Sequence, residues 1–171
     1  MDRTNTDITM NGYYRLIASM SRGGASYTPR TTAFGIATGI SDNTILNALN
    51  DFDLGLISNS LDSKIKALYP FVGGASSPHS YNFIDTSLYQ ITWSGGVVHD
   101  TNGITGNGTN AYGNTNFNDN LLTDYISFGV YSRTSAQHVG IEIGASGGGG
   151  VGNFMLLNRS ASGFQYFVKR C

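Results

Sequence analysis

The sequence predicts an all-β fold, a sandwich or jelly roll, preceded by an extended N-terminal arm and one amphipathic helix. Three observations carry that expectation. Twenty-three glycines, ten tyrosines and nine phenylalanines stand against three lysines and one glutamate in 171 residues, a balance that favours strands and tight turns over helices. Beyond residue 60 the apolar period is two, as in half-buried strands. The candidate strands are short and separated by Gly/Asn turns, which suits a sandwich and not βαβ units.

Residues 1–40 read as the arm. Tyr13, Tyr14, Leu16 and Ile17 make one short apolar element, and residues 21–32 form a linker with Gly23, Gly24 and Pro29. Residues 31–40 are small and weakly apolar, as expected of an extended segment that needs a partner surface. Residues 41–60 hold the helix. Ser41 or Asp42 can cap its first turn, and Ile45, Leu49, Phe52 and Leu56 form a stripe that Leu46 and Ile57 widen. Gly55 weakens the last turn, so the helix is expected to stop between residues 53 and 58.

Residues 61–171 read as the sandwich. Nine candidate strands fall at 65–71, 81–84, 89–93, 97–99, 111–114, 125–132, 138–143, 153–157 and 164–169. Ile126, Phe128 and Val130 share one face, while Val139, Ile141 and Ile143 alternate with Gly140 and Glu142. Nine strands are few for such a sandwich, and the sequence stops just after a candidate strand. Either a longer natural chain or a neighbouring subunit is expected to cover that edge, the former favoured.

Composition narrows the function classes. The net charge is −1 and no basic patch stands out, so nucleic acid is not an expected partner. Apolar runs are too short for a membrane span, and the polar start, Met1-Asp2-Arg3-Thr4, does not read as a secretory signal. The lone Cys171 supports neither an internal disulfide nor a cysteine zinc site.

Several runs resemble a known family. They are Thr38-Gly39-Ile40-Ser41-Asp42, Ser63-Lys64-Ile65-Lys66-Ala67-Leu68-Tyr69-Pro70-Phe71-Val72-Gly73-Gly74, His79-Ser80-Tyr81-Asn82, Ser94-Gly95-Gly96 and Gly106-Asn107-Gly108-Thr109-Asn110-Ala111-Tyr112. Together they resemble phage virion structural proteins of the tail-fibre or head-appendage type, over residues 30–145. That family is similar to concanavalin A-like and laminin-G-like sandwiches. The resemblance implies a virion component made in the host cytoplasm, bound to other virion proteins, homo-oligomeric and by analogy trimeric. It carries over no catalytic residue and no cofactor.

A glycosidase needs two carboxylates about the scissile bond. Glu142 is the single glutamate, and a partner would have to come from Asp85, Asp100 or Asp124. A solvent-facing strand position is the favoured reading for it, and no enzyme activity is expected. His79, His99 and His138 fall in separate segments, so each reads as a hydrogen-bonding surface residue and not as part of a triad or a metal cluster. The Asn/Asp runs at 100–103 and 114–119 read as turns and not as calcium loops.

A host glycan is the alternative ligand. Trp93, His99, Asp100, Asn102, Asn110 and Tyr112 lie within twenty residues and combine aromatic faces with planar polar groups. Packing in the core is the competing role for Trp93. For assembly, Arg15, Arg22 and Arg30 continue a spacing begun at Arg3 and could seat the arm on an acidic neighbour.

Overall fold

The computed structural model describes residues 26–117, 127, 129–133, 141–145, 155–160 and 163–168. The chain divides into two compact units, Met1–Asn116 and Phe117–Cys171. The expected concanavalin A-like jelly roll is not what forms. The first unit contains α1 (Pro29–Thr38), α2 (Asn43–Ser58), one-turn α3 (Ser76–His79) and four three-residue strands. Those strands, β1 (Thr92–Ser94), β2 (Val98–Asp100), β3 (Gly103–Thr105) and β4 (Tyr112–Asn114), pair only as two separate ribbons, β1–β4 and β2–β3.

Residues 29–38 are helical where an extended arm was expected. Thr28 caps them by accepting the Thr31 amide at 3.2 Å, Pro29 sits in the first turn, and Gly39 closes the end at φ +72°. Pro favours the first turn because its missing N–H is unpaired there anyway, and Gly favours the left-handed position beyond the last.

Asp42 caps α2 through the Thr44 amide at 2.7 Å. The helix runs through Gly55 and ends in a paired-carbonyl motif, with Ser60 N–H donating to Ile57 O at 3.0 Å and Leu61 N–H to Leu56 O at 2.9 Å. That geometry places Ser60 at φ +55°, a position glycine usually occupies.

The buried face of α2 is rotated from the expected stripe. Leu46, Leu49, Asp53 and Leu56 are buried, whereas Phe52 and Ile57 are 46% and 48% exposed. Asp53 is drawn inward by an ion pair with Arg30 of α1. Nearby, the Thr28 amide donates to Asn50 Oδ1 at 2.8 Å and the Tyr27 hydroxyl to Asn47 Oδ1 at 3.1 Å. These bonds hold the two helices together beside their apolar contact.

The core forms around Phe34, Leu49 and Phe83, with Ile40, Ile45, Leu68, Val72, Tyr81 and Ile84 packed about them. Phe34 meets Phe83 edge-on with centroids 5.4 Å apart. The helices thus lie on irregular chain, because 65–71 and 81–84 are not strands. Positive φ at Phe71 (+50°) and Tyr89 (+57°) breaks two of the expected extended runs.

In the second unit, β5 (Ile141–Ala145), β6 (Met155–Ser160) and β7 (Gly163–Val168) form an antiparallel sheet in the order 5-6-7. A register shift lies between Ile141 and Ile143. The strands expected at 138–143, 153–157 and 164–169 are present in part, whereas the described residues of the expected 125–132 strand, 127 and 129–132, form no strand, and 125, 126 and 128 lie outside the described residues.

Two stability measurements follow. Arg30→Ala leaves Asp53 buried without a countercharge and should lower urea stability by about 3 kcal/mol, with Arg30→Met/Asp53→Leu recovering most of it. Ser60→Gly relieves the left-handed backbone and should raise stability by about 1 kcal/mol.

Candidate functional site

The most distinctive chemistry of the first unit gathers where residues 69–71, α3, β1 and β2 meet. Tyr69 stacks on Phe71 with centroids 6.2 Å apart, and its hydroxyl donates to Tyr89 O at 2.5 Å. Burial and the neighbouring Tyr89 push the Tyr69 phenol up to about 12. Phe71 and Tyr89 are both left-handed non-glycine residues, and strain of this kind tends to collect at functional sites.

Phe71 faces His79 and Trp93 at 6.0 and 6.1 Å. Trp93 meets His99 edge-on at 4.7 Å. Its indole N–H donates to Ser80 Oγ at 2.7 Å, with Ser76 O at 3.3 Å. The ring lies across Gly113, its register partner on β4, where a Cβ would come within 2.5 Å of Trp93 Cζ3. Trp93 is therefore half-buried and hydrogen-bonded, a structural wedge between α3 and the β1–β4 ribbon.

The two histidines complete the cluster. His79 is 1% exposed, and its Nδ1 lies 3.1 Å from Nδ1 of His99. The buried Nε2 of His79 has no hydrogen-bond partner. Burial first and the adjacent His99 second lower the His79 pKa, against a smaller opposing pull from Asp100. A buried imidazole is thus held neutral. The sequence reading placed His79 at the surface, and the correction is tertiary: no local spacing announces a contact across twenty residues.

The expected glycan residues are only partly brought together. Trp93 and His99 touch. Asp100 Oδ1 accepts the Asn102 amide at 2.6 Å and closes the two-residue β2–β3 turn. Asn110 belongs to a loop organised by Asn107, whose Oδ1 accepts the amides of Thr109, Asn110 and Ala111, each at 3.0 Å. Asn107 also donates to Gly95 O and Asn110 Oδ1. Tyr112 is 60% exposed and pairs with Ser94. Directly opposed residues share a face and neighbours alternate, so Tyr112 lies on the other face of the ribbon from Trp93. No single surface presents both rings.

Of the expected assembly residues, Arg30 is bonded within the chain to Asp53, while Arg15 and Arg22 lie outside the described residues. Glu142 lies in β5, and Asp124 and His138 fall outside the described residues. The run Gly144-Ala145-Ser146-Gly147-Gly148 has the letter spacing of a nucleophile elbow, and Ser146 lies outside the described residues. Among the described residues, no group of three His, Cys, Asp or Glu side chains is placed to hold a metal.

Gly113→Ala tests the Trp93 wedge. The added methyl meets Trp93 and Ile91 below contact distance, so stability should fall by about 2 kcal/mol in urea titrations, with altered tryptophan emission. Compared with models of protein families, with curated proteins and with solved structures, the chain matches none.

Proposed function

We propose that the chain is a non-catalytic structural component of a phage virion, working through assembly contacts with further copies of itself and with other virion proteins. The observation that carries this reading is the apolar rim of α2. Leu54 and Ile57, one turn apart on the same side of the helix, are 50% and 48% exposed, and Leu61 just beyond the helix is 42% exposed. The outward side of a surface helix is normally polar, and clustered exposed apolar groups mark contact surfaces.

The chemistry of the resembling runs supports the same reading. Asp42 caps α2, Asn82 and His79 sit inside the fold, and Gly95 receives the Asn107 loop. Each of these residues contributes to building the unit. A phage fibre or appendage requires stable surfaces that stack, and a sparsely charged chain opposes its own association only weakly.

Mass measurement of the full chain tests the proposal. The expected result is an oligomer of the 18.3 kDa chain, a trimer by the family analogy. Leu54→Ser with Ile57→Ser should weaken it at least about tenfold, or about 1.4 kcal/mol. A chain still monomeric at about 0.1 mM, where a contact of about 5.5 kcal/mol would register, overturns self-assembly.

A further inference from the structure

We infer that His79 and His99 form a proton-operated latch, which holds the β2–β3 hairpin against α3 while both rings are neutral and releases it when one is protonated. The inference is independent of the assembly reading. It stands on the 3.1 Å approach of the two Nδ1 atoms and on the unpartnered, buried Nε2 of His79.

Proton positions follow from those two facts. With Nδ1 facing Nδ1, one ring must donate and the other accept. The economical neutral arrangement has His79 donating, because its Nε2 is then a bare lone pair. The reverse would bury an N–H with no acceptor, the costlier orphan. A further proton has no comfortable place. On His99 Nδ1 it sets two N–H groups against each other. Moving the His79 proton to Nε2, or adding one there, leaves a buried donor unpaired. Every protonated arrangement therefore either opposes two N–H groups or buries an unpaired donor on His79.

The surrounding groups do not rescue the charged form. From β2 the facing groups are His99 and the exposed Asp100, whose Oδ1 already accepts the Asn102 amide. From residues 69–71 comes Tyr69, its hydroxyl engaged by Tyr89 O. From β1 comes Trp93, which does not titrate. Arg30 of α1 is committed to Asp53. Because the folded His79 pKa lies below the ordinary value, the latch contributes fully above about pH 6.5 and is lost as the pH falls from there. Elsewhere on the hairpin, Thr101 lies beside Gly74 and Gly103 beside Phe71.

Trp93 is the only tryptophan of the chain and touches His99, so its emission reports the latch directly. The full chain is titrated from about pH 8 to about pH 5, with amide exchange of residues 98–105 measured at both ends and corrected for intrinsic rates. The expected result is a change in Trp93 emission with a midpoint below about 6.5, and about tenfold faster exchange in β2 and β3 at the acid end. His79→Phe where it folds, and otherwise His79→Gln with His99→Gln, should abolish both changes. Unchanged emission over the range, transitions that persist when both histidines are replaced, or an emission change without faster exchange would each overturn the latch.

Discussion

The first unit depends on how the backbone of residues 66–68 is satisfied in a place where no sheet reaches it. The Asn82 side chain does this work: its Oδ1 accepts the amides of Leu68 and Ile84, both at 3.0 Å, and its Nδ2 reaches Lys66 O. The Phe83 amide adds a bond to Leu68 O at 2.8 Å. Buried backbone groups without partners would cost about 1–3 kcal/mol each, comparable to what burying Phe83 returns. One fully buried amide thus substitutes for a strand ladder. It lets two irregular segments present Leu68, Phe83 and Ile84 to the helices.

That substitution has a local consequence. Once 65–71 is freed from strand geometry, Phe71 can turn left-handed at about 1–2 kcal/mol and point its ring at His79 and Trp93. Tyr89 does the same on the facing segment, with its carbonyl received by Tyr69. The two strained residues and the stacked rings hold one another in place. His79 is sealed by this arrangement, and sealing is what makes its protonation unfavourable.

The legible parts of the sequence were those set by local chemistry. Asp42 followed by Leu46, Leu49 and Leu56 announces α2, and Asn/Gly runs announce the turns at 101–102 and 106–111. Thr28-Pro29 with Gly39 also frames a helix in plain view, but the weakly apolar residues between them outweighed those end signals. The sandwich expectation failed for a tertiary reason. The alternating residues at 65–71 and 81–84 answer to Asn82 and to the helices, and a period of two cannot distinguish a sheet partner from a side-chain amide. The rotation of α2 had the same origin, since Asp53 looks like a surface charge until Arg30 is placed beside it. At the site, Trp93 and His99 were singled out for ring chemistry, yet their partners Phe71 and His79 come from segments read as strand and surface.

The proposed contact surface on α2 and the proposed histidine latch both lie outside the core cluster. The α2 rim lies outside the Phe34–Leu49–Phe83 cluster, and no residue of β2 or β3 belongs to that cluster or to the shell packed on it. A tightly packed aromatic contact such as Phe34 on Phe83 does not deform gradually. Displacement of the hairpin can therefore remain local, with Asn82 still bridging 66–68 to 84 and Arg30 still paired to Asp53. Coupling between the histidine pair and α2 would have to pass through α1, which touches both α3 and α2, and α1 is fixed at both ends by Thr28 and Gly39. On the two proposals together, release of the hairpin by a proton would leave assembly through α2 unaffected.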